Sequence, residues 1–290
     1  MKPETDSAID SGSTTSKKTN EDYLWIGLED GINAVLILDG TSGVAGDFGA
    51  KNEKTGGRRY VEKFGAAINH ILDENPQRDL KEVMKSTIET IWDEFEKEAE
   101  ENTEKYFKGE NVTLQRASTI PAAVGAIIRW NHEKLELLHV GDVEAYITLE
   151  DRGENFSNET HESFDKIRDE NIKEYGKESK EVQEILRKHR SAHNLPGTYP
   201  NMSFNPLAVD KLGEKAEYPI EEVEKVLLST DGAAPRFREL FNLESNEQVV
   251  KYIEKHGAQK SLKKLREKEN NAELNALKSS DDAAIALLNF

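Results

Sequence analysis

The chain has 290 residues, of which 36% are apolar and 33% are charged, and 56 acidic residues outnumber 39 basic ones to give a formal net charge of −17. The sequence contains no cysteine, which excludes disulfide bonds, thiolate metal sites and a cysteine nucleophile. The acidic excess argues against a nucleic-acid or a membrane partner, because both surfaces require clustered Lys and Arg on the protein. The lack of a long apolar segment favours a cytoplasmic protein.

The N-terminal part of the chain is predicted to be a tail followed by a hairpin. Residues 1–18 are poor in large apolar side chains, so we expect a flexible tail there and a single domain over residues 19–290. Short apolar runs at Tyr23–Leu28 and Ala34–Leu38 flank a polar turn, which is the pattern of two antiparallel strands.

Two long helices and three strands are predicted next. Apolar residues recur at the helical period from Tyr60 to Leu72 and again from Leu80 to Phe95. Strand-like runs then follow at Ala122–Trp130, Lys134–Val140 and Ala145–Leu149. Because strands and helices occur in blocks without regular alternation, the order favours an α+β fold.

The last part of the chain begins with a different pattern. Residues 150–190 are densely charged, with apolar residues at intervals, which predicts a helical insertion that acts either as a lid or as a solvated spacer. A strand at Val226–Ser229, helices near Gln248–His256 and Leu262–Lys268, and a closing strand at Ala283–Phe290 complete the prediction.

Several acidic residues lie where predicted strands end. Asp39 and Asp231 each follow an apolar run and precede a glycine, Asp142 closes a third run, and Asp281 lies just before the last strand. Any one Asp-Gly pair is also a common turn. Several carboxylates at one sheet edge would instead form an oxygen-ligand site for a hard cation such as Mg²⁺ or Mn²⁺.

The histidines do not suggest a different metal site. His189 and His193 share the spacing of one helix face, but no third ligand follows them, which argues against zinc. His139 lies within an apolar strand and is interpreted as a core residue.

The order of these blocks resembles the metal-dependent protein serine/threonine phosphatases of type 2C, over nearly the whole chain. The resemblance rests on six short blocks in sequence: Asn20-Glu21-Asp22, Ile37-Leu38-Asp39-Gly40, Ala117-Ser118-Thr119, Val140-Gly141-Asp142, Ser229-Thr230-Asp231-Gly232 and Ser280-Asp281-Asp282. It implies a four-layer α-β-β-α sandwich, in which two antiparallel sheets are flanked by helix pairs.

The resemblance also implies a set of metal ligands. Asp39 matches the carboxylate that bridges two metal ions, and Gly40 matches a residue that binds through its backbone carbonyl. Asp231 and Asp281 match the remaining ligands of one ion, and Glu21 matches a ligand of the other. The remaining matches are peripheral: Asp142 belongs to a third, weaker metal position, and Asp22 lies just outside the ligand sphere as a hydrogen-bond acceptor.

By this resemblance the catalytic candidates are Asp39, Asp231 and Lys17. Lys17 stands where the family commonly has an arginine that holds the substrate phosphate, and lysine lacks the bidentate geometry of a guanidinium. Thr41 stands where eukaryotic members often have a histidine that donates a proton to the leaving group. Glu144 replaces the usual arginine after Gly-Asp-Ser.

The implied function is hydrolysis of phosphoserine or phosphothreonine in proteins by a metal-bridged hydroxide, with two Mn²⁺ or Mg²⁺ ions and a third in the weaker position. The substrate partner would then be a phosphoprotein, and the sequence does not define the oligomeric state. One alternative is a pseudophosphatase that binds phosphoproteins without turnover, which the changes at Lys17, Thr41 and Glu144 would permit. Another is a metallohydrolase that acts on small phosphoesters.

Overall fold

Two five-stranded antiparallel sheets form the centre of the computed structural model. The structure describes residues 2–12, 20–28, 32–42, 51, 53–101, 120–157, 162–176, 179–194, 199–203, 207–271 and 281–290. Strands are numbered in chain order. The first sheet contains β1 (Glu4–Asp10), β10 (Ala283–Asn289), β9 (Val223–Ser229), β6 (Glu144–Leu149) and β7 (Gly153–Phe156), in that spatial order. The second contains β2 (Asp22–Gly27), β3 (Ala34–Thr41), β4 (Ala122–Trp130), β5 (Lys134–Val140) and β8 (Glu214–Pro219).

The alternation of side chains along the strands explains why the two sheets pack together. In β3, Val35 and Ile37 face the first sheet, where they join Ile147, Leu228 and other apolar residues in a buried layer. The intervening residues Leu36 and Leu38 face the opposite way, towards a helix layer. Because both faces of β3 are buried, its sequence is a continuous apolar run rather than an alternating one.

Helices cover the outer face of each sheet. The helices α1 (Gly56–Glu74) and α2 (Leu80–Glu101) pack on the second sheet through residues such as Phe64 and Met84. The side chain of Thr55 caps α1 by accepting from the backbone N–H of Arg58 at 3.2 Å, and Asp79 caps α2 by accepting from that of Glu82 at 3.3 Å.

The remaining helices belong to two groups. The charged segment forms α3 (Glu162–Tyr175) and α4 (Lys180–Ala192), and α5 (Leu207–Leu212) follows it. The first sheet is covered by α6 (Ala234–Phe241), α7 (Asn246–His256) and α8 (Ala258–Asn271), whose apolar residues pack against the sheet. The predicted α-β-β-α layering is confirmed, although this outer layer contains three described helices rather than a pair. The predicted helical insertion at 150–190 contains α3 and nearly all of α4, but its first part forms the strand β7 instead of helix.

The prediction of a flexible tail over residues 1–18 is wrong for its first part. Glu4–Asp10 is β1, an edge strand paired antiparallel with β10, with Glu4 opposite Asn289 and Asp10 opposite Ala283. An edge strand needs little apolar surface because its backbone hydrogen bonds carry the pairing, and Ala8 alone is buried in it. Residues 13–18 lie outside the described part of the chain.

Besides β1, four shorter elements were not predicted: β7, α5, β8 and α6. All are short or strongly polar, so their apolar periodicity is weak. Within the described residues, no helix is long and apolar enough to cross a membrane.

Candidate metal centre

Two of the predicted acids face each other across the hairpin of β2 and β3. Asp22 and Asp39 are register partners, so their backbones lie side by side at the same end of the second sheet. Asp22 is 2% exposed. Its carboxylate accepts a hydrogen bond from Thr230 Oγ1 at 2.7 Å, and this threonine directly follows β9 of the other sheet. The contact therefore joins the ends of both sheets at one edge of the sandwich.

The other predicted acids lie at this same edge. Burial raises the pKa of Asp39 well above its usual range, and the negative charges of Asp22, Asp231, Asp142 and Asp281 raise it further. Burial likewise raises the pKa of Asp22; Thr230 lowers it, and Asp231, Asp282 and Asp281 raise it. We call Asp22, Asp39, Asp142, Asp231 and Asp281 the acidic rim. The structure brings together these five residues from five separate blocks of sequence.

The backbone of Gly40 is held close to that of Glu21. The Gly40 N–H donates to the Glu21 carbonyl at 3.1 Å, and a Cβ at Gly40 would lie 2.5 Å from that same oxygen. Only glycine allows this approach. The Glu21 carboxylate accepts from Ser42 Oγ at 2.7 Å, and Ser42 Oγ in turn accepts from the Gly57 N–H at 3.1 Å. The first turn of α1 thus helps to fix the Glu21 side chain.

The two adjacent acids before β10 have different partners. Asp282 Oδ2 accepts from the Glu21 N–H at 2.8 Å and Oδ1 accepts from the Gly12 N–H at 3.0 Å, so this carboxylate fixes backbone on both sides of the edge. Asp281 Oδ1 accepts from the Asp282 N–H at 3.0 Å. Asp282 therefore has a structural role, which no pattern in the sequence indicates.

Asp142 has a partner that sequence reasoning missed. The Tyr199 hydroxyl donates to Asp142 Oδ1 at 2.5 Å. Burial raises the pKa of Tyr199 well above its usual range and Asp142 raises it further, so the hydroxyl remains a donor. Tyr199 lies in the segment 199–203, where Met202 pairs with Ala123 of β4.

The acidic rim fits a hard divalent cation in donor type and charge. All its side chains are oxygen donors, and their mutual repulsion is what a bound cation would relieve. Within the described part of the chain, however, no three Asp, Glu or His side chains are grouped closely enough to hold one ion. The predicted phosphate-binding Lys17 lies outside the described residues.

Sequence comparison adds no relative: no protein-family model matches the chain, and no curated protein matches it. Structure comparison shows that the chain has the fold of the type 2C serine/threonine phosphatases.

Three similar structures illustrate this fold. The serine/threonine phosphatase PstP/Ppp from Mycobacterium tuberculosis is 14% identical, with a TM-score of 0.56 over 100% of this chain and 99% of that one. Stp1 from Staphylococcus aureus is 14% identical, with a TM-score of 0.54 over 100% of this chain and 96% of its own. A catalytic domain of PstP in complex with two manganese ions is 15% identical, with a TM-score of 0.54 over 99% and 97%.

Proposed function

We propose that the chain is a metal-dependent phosphatase that hydrolyses phosphoserine and phosphothreonine in proteins. The observation that carries the proposal is the acidic rim at one edge of a type 2C fold, where burial and the neighbouring carboxylates raise the pKa of Asp22 and Asp39. Carboxylates that repel one another in this arrangement are costly to bury unless a cation offsets their charge.

In this proposal, Asp39, Asp231 and Asp281 with the Gly40 carbonyl would hold the metal ions, and Glu21 and Asp142 would serve neighbouring positions. Two Mn²⁺ or Mg²⁺ ions held there would lower the pKa of a bound water and would neutralise phosphoryl oxygens. The protein itself contributes position: Thr230 holds Asp22, Ser42 holds Glu21, and Tyr199 holds Asp142.

The test is hydrolysis of p-nitrophenyl phosphate at about pH 8 by the purified chain with Mn²⁺, with Mg²⁺ and with EDTA, beside Asp231→Asn. Asparagine keeps the shape of aspartate but removes the charge that a cation requires. We expect turnover that requires metal and is lost in the variant. Activity that persists in EDTA, or in Asp231→Asn, would overturn the proposal.

Substrate class needs a second comparison. A phosphopeptide containing phosphoserine or phosphothreonine is compared with small phosphoesters at equal concentration, and we expect a higher kcat/KM for the phosphopeptide. If the folded protein binds Mn²⁺ and hydrolyses none of these substrates, the pseudophosphatase becomes the better account.

A further inference from the structure

The last turn of α4 brings a cation to the acidic rim. Arg190 Nη2 donates to the backbone carbonyls of Thr41 at 3.3 Å and Ser42 at 3.4 Å. These two residues directly follow Asp39 and Gly40, so a helix distant in sequence contacts the loop that leaves the candidate metal centre. The position of this arginine was not predicted.

The charges around Arg190 come from residues of the same site. Burial lowers the pKa of its guanidinium to about 10, while Tyr199, Glu21 and Asp39 raise it. The side chain therefore stays protonated at neutral pH. A positive charge beside Glu21 and Asp39 is placed where an anionic substrate would approach metal ions held by those acids.

The guanidinium has hydrogen-bonding capacity to spare. It carries five N–H donors on three nitrogens, and only Nη2 donates to an acceptor among the described residues. Nε and Nη1 have no such acceptor there. Two adjacent guanidinium nitrogens match the spacing of two phosphate oxygens, and this bidentate pairing is stronger and more directional than that of lysine.

We propose that Arg190 is a substrate-binding residue that grips the phosphoryl group through the free edge of its guanidinium. This inference rests on the proposed function. A lysine at position 17 cannot pair with two phosphate oxygens at once, and Arg190 of α4 would supply this bidentate contact. The α3–α4 segment would then have a defined part in substrate binding. The Nη2 contacts to the Thr41 and Ser42 carbonyls would hold the guanidinium in position for that contact.

The test measures inorganic phosphate binding directly, by the rise in Tm of the full chain as phosphate is added in the presence of Mg²⁺. The variants are Arg190→Ala, Arg190→Lys and the matched control Arg187→Ala, which removes an exposed arginine one turn earlier on α4. We expect the phosphate Kd to rise about 10- to 100-fold in Arg190→Ala, to rise less in Arg190→Lys, and to stay unchanged in the control.

A purely structural role for Arg190 predicts a different result. If Arg190 only holds α4 against the Thr41–Ser42 loop, Arg190→Ala lowers the Tm without phosphate while the phosphate Kd stays the same, and the inference is overturned. Arg190→Lys is included because Arg190→Ala could fail to fold. The lysine keeps the positive charge and much of the side-chain length but cannot make a bidentate contact. An unchanged Kd in that variant also overturns the proposal.

The same variants separate this inference from the proposed function. If the wild type hydrolyses aryl phosphate but the inhibition constant of inorganic phosphate is unchanged in Arg190→Lys, the phosphatase proposal stands and the role of Arg190 falls. If the wild type hydrolyses nothing, yet phosphate binding depends on Arg190, the phosphate site stands and the catalytic proposal falls.

Discussion

The second sheet holds buried acids at both ends, and the two ends treat them differently. At one end, Glu136 of β5 is opposite Arg129 of β4. Arg129 donates to Glu136 from Nε at 3.0 Å and also from Nη2, while Nη1 donates to the Arg78 carbonyl at 2.6 Å. Burial raises the pKa of Glu136, but Arg129 and Lys134 outweigh this effect and the pKa is lowered.

At the other end lies the acidic rim, where acids face acids and the pKa values of Asp22 and Asp39 are raised. The second sheet therefore buries Glu136 beside a cationic side chain of the protein, whereas at the acidic rim a cation would have to bind from solution. The first arrangement is complete in the chain itself. At the acidic rim, repulsion between the carboxylates destabilises the folded protein, and a bound ion would offset it. We therefore propose a functional role for this end of the sheet and a structural role for the other.

The largest expected effect comes from neutralising the centre of the acidic rim. Asp39→Asn should lower metal-dependent phosphatase activity by about 10³-fold or more, since the carboxylate would hold the catalytic ions. In the metal-free protein the same change should raise the free energy of unfolding by about 1 kcal/mol, because it removes one of several repelling charges.

Activity assays and urea unfolding in EDTA measure these two effects, with the exposed Asp151→Asn as a charge-matched control. A metal-free Asp39→Asn protein that is clearly less stable than wild type would contradict the interpretation that the acids of the rim repel one another.

The opposite end of the sheet should respond in the opposite sense. Arg129→Met removes the cation and leaves Glu136 buried without its main partner, so the free energy of unfolding should fall by about 3–5 kcal/mol. The double variant Arg129→Met with Glu136→Leu should recover most of that loss, because an apolar pair of similar volume suits a buried position. Urea unfolding measures both; a double variant as unstable as the single one would disprove the pairing argument.

The close approach of backbones at the acidic rim gives a smaller effect. A Cβ at Gly232 would overlap the backbone oxygen of Asp282, and neither group is the end of a flexible side chain. Gly232→Ala should therefore lower the free energy of unfolding by about 2–3 kcal/mol. Gly176→Ala is a useful comparison, because its Cβ would meet no atom within 4 Å, although its φ of 86° still strains the backbone. Equal stability of the Gly232 variant and wild type would show that the two strand ends can separate freely.

The smallest effect is a dependence of stability on pH. Burial lowers the pKa of His139, while the Val143 carbonyl, which accepts from Nε2 at 2.5 Å, partly opposes this shift. The unfolded chain then binds more protons than the folded one as the pH falls below the ordinary histidine range, so stability falls on acidification. Between pH 7.5 and 5.5, wild type should lose about 1 kcal/mol more than His139→Gln.

Urea unfolding at both pH values measures that difference. Parallel losses in the two proteins would mean that His139 takes up its proton without cost in the folded state, and that its burial is not what the structure indicates.

Sequence patterns predicted the core strands and the helices of an α+β fold because these strands are continuous apolar runs, whereas the two-sheet sandwich was implied by the resemblance to type 2C phosphatases. Ala34–Leu38 and Leu137–Val140 are buried on both faces, as continuous apolar runs predict. The same runs end in Asp39 and Asp142, which explains why the edge of the sheet could be predicted together with the sheet. β1 could not be predicted in this way, since its pairing depends on backbone groups.

Other parts of the candidate site depend on long-range placement that no local pattern encodes. Arg190 belongs to a charged helix, and nothing in its spacing indicates that its guanidinium would contact the Thr41 carbonyl. Tyr199 lies between the predicted insertion at 150–190 and the next predicted strand, where no element was predicted. Asp281 and Asp282 are adjacent, and only the folded backbone shows that Asp282 has both oxygens occupied by backbone N–H groups.

The pairing of β1 with β10 has a consequence for the order in which the molecule can form. β10 is the last strand in sequence, yet it lies between β1 and β9, so β1 has no neighbour until residues 283–289 have been synthesised. Asp281 lies two residues before β10, so it is synthesised only just before that strand. The first sheet and the acidic rim can therefore be completed only once residues 281–289 have been synthesised, and a shorter fragment of the chain would have neither a finished first sheet nor a complete set of acids to capture metal.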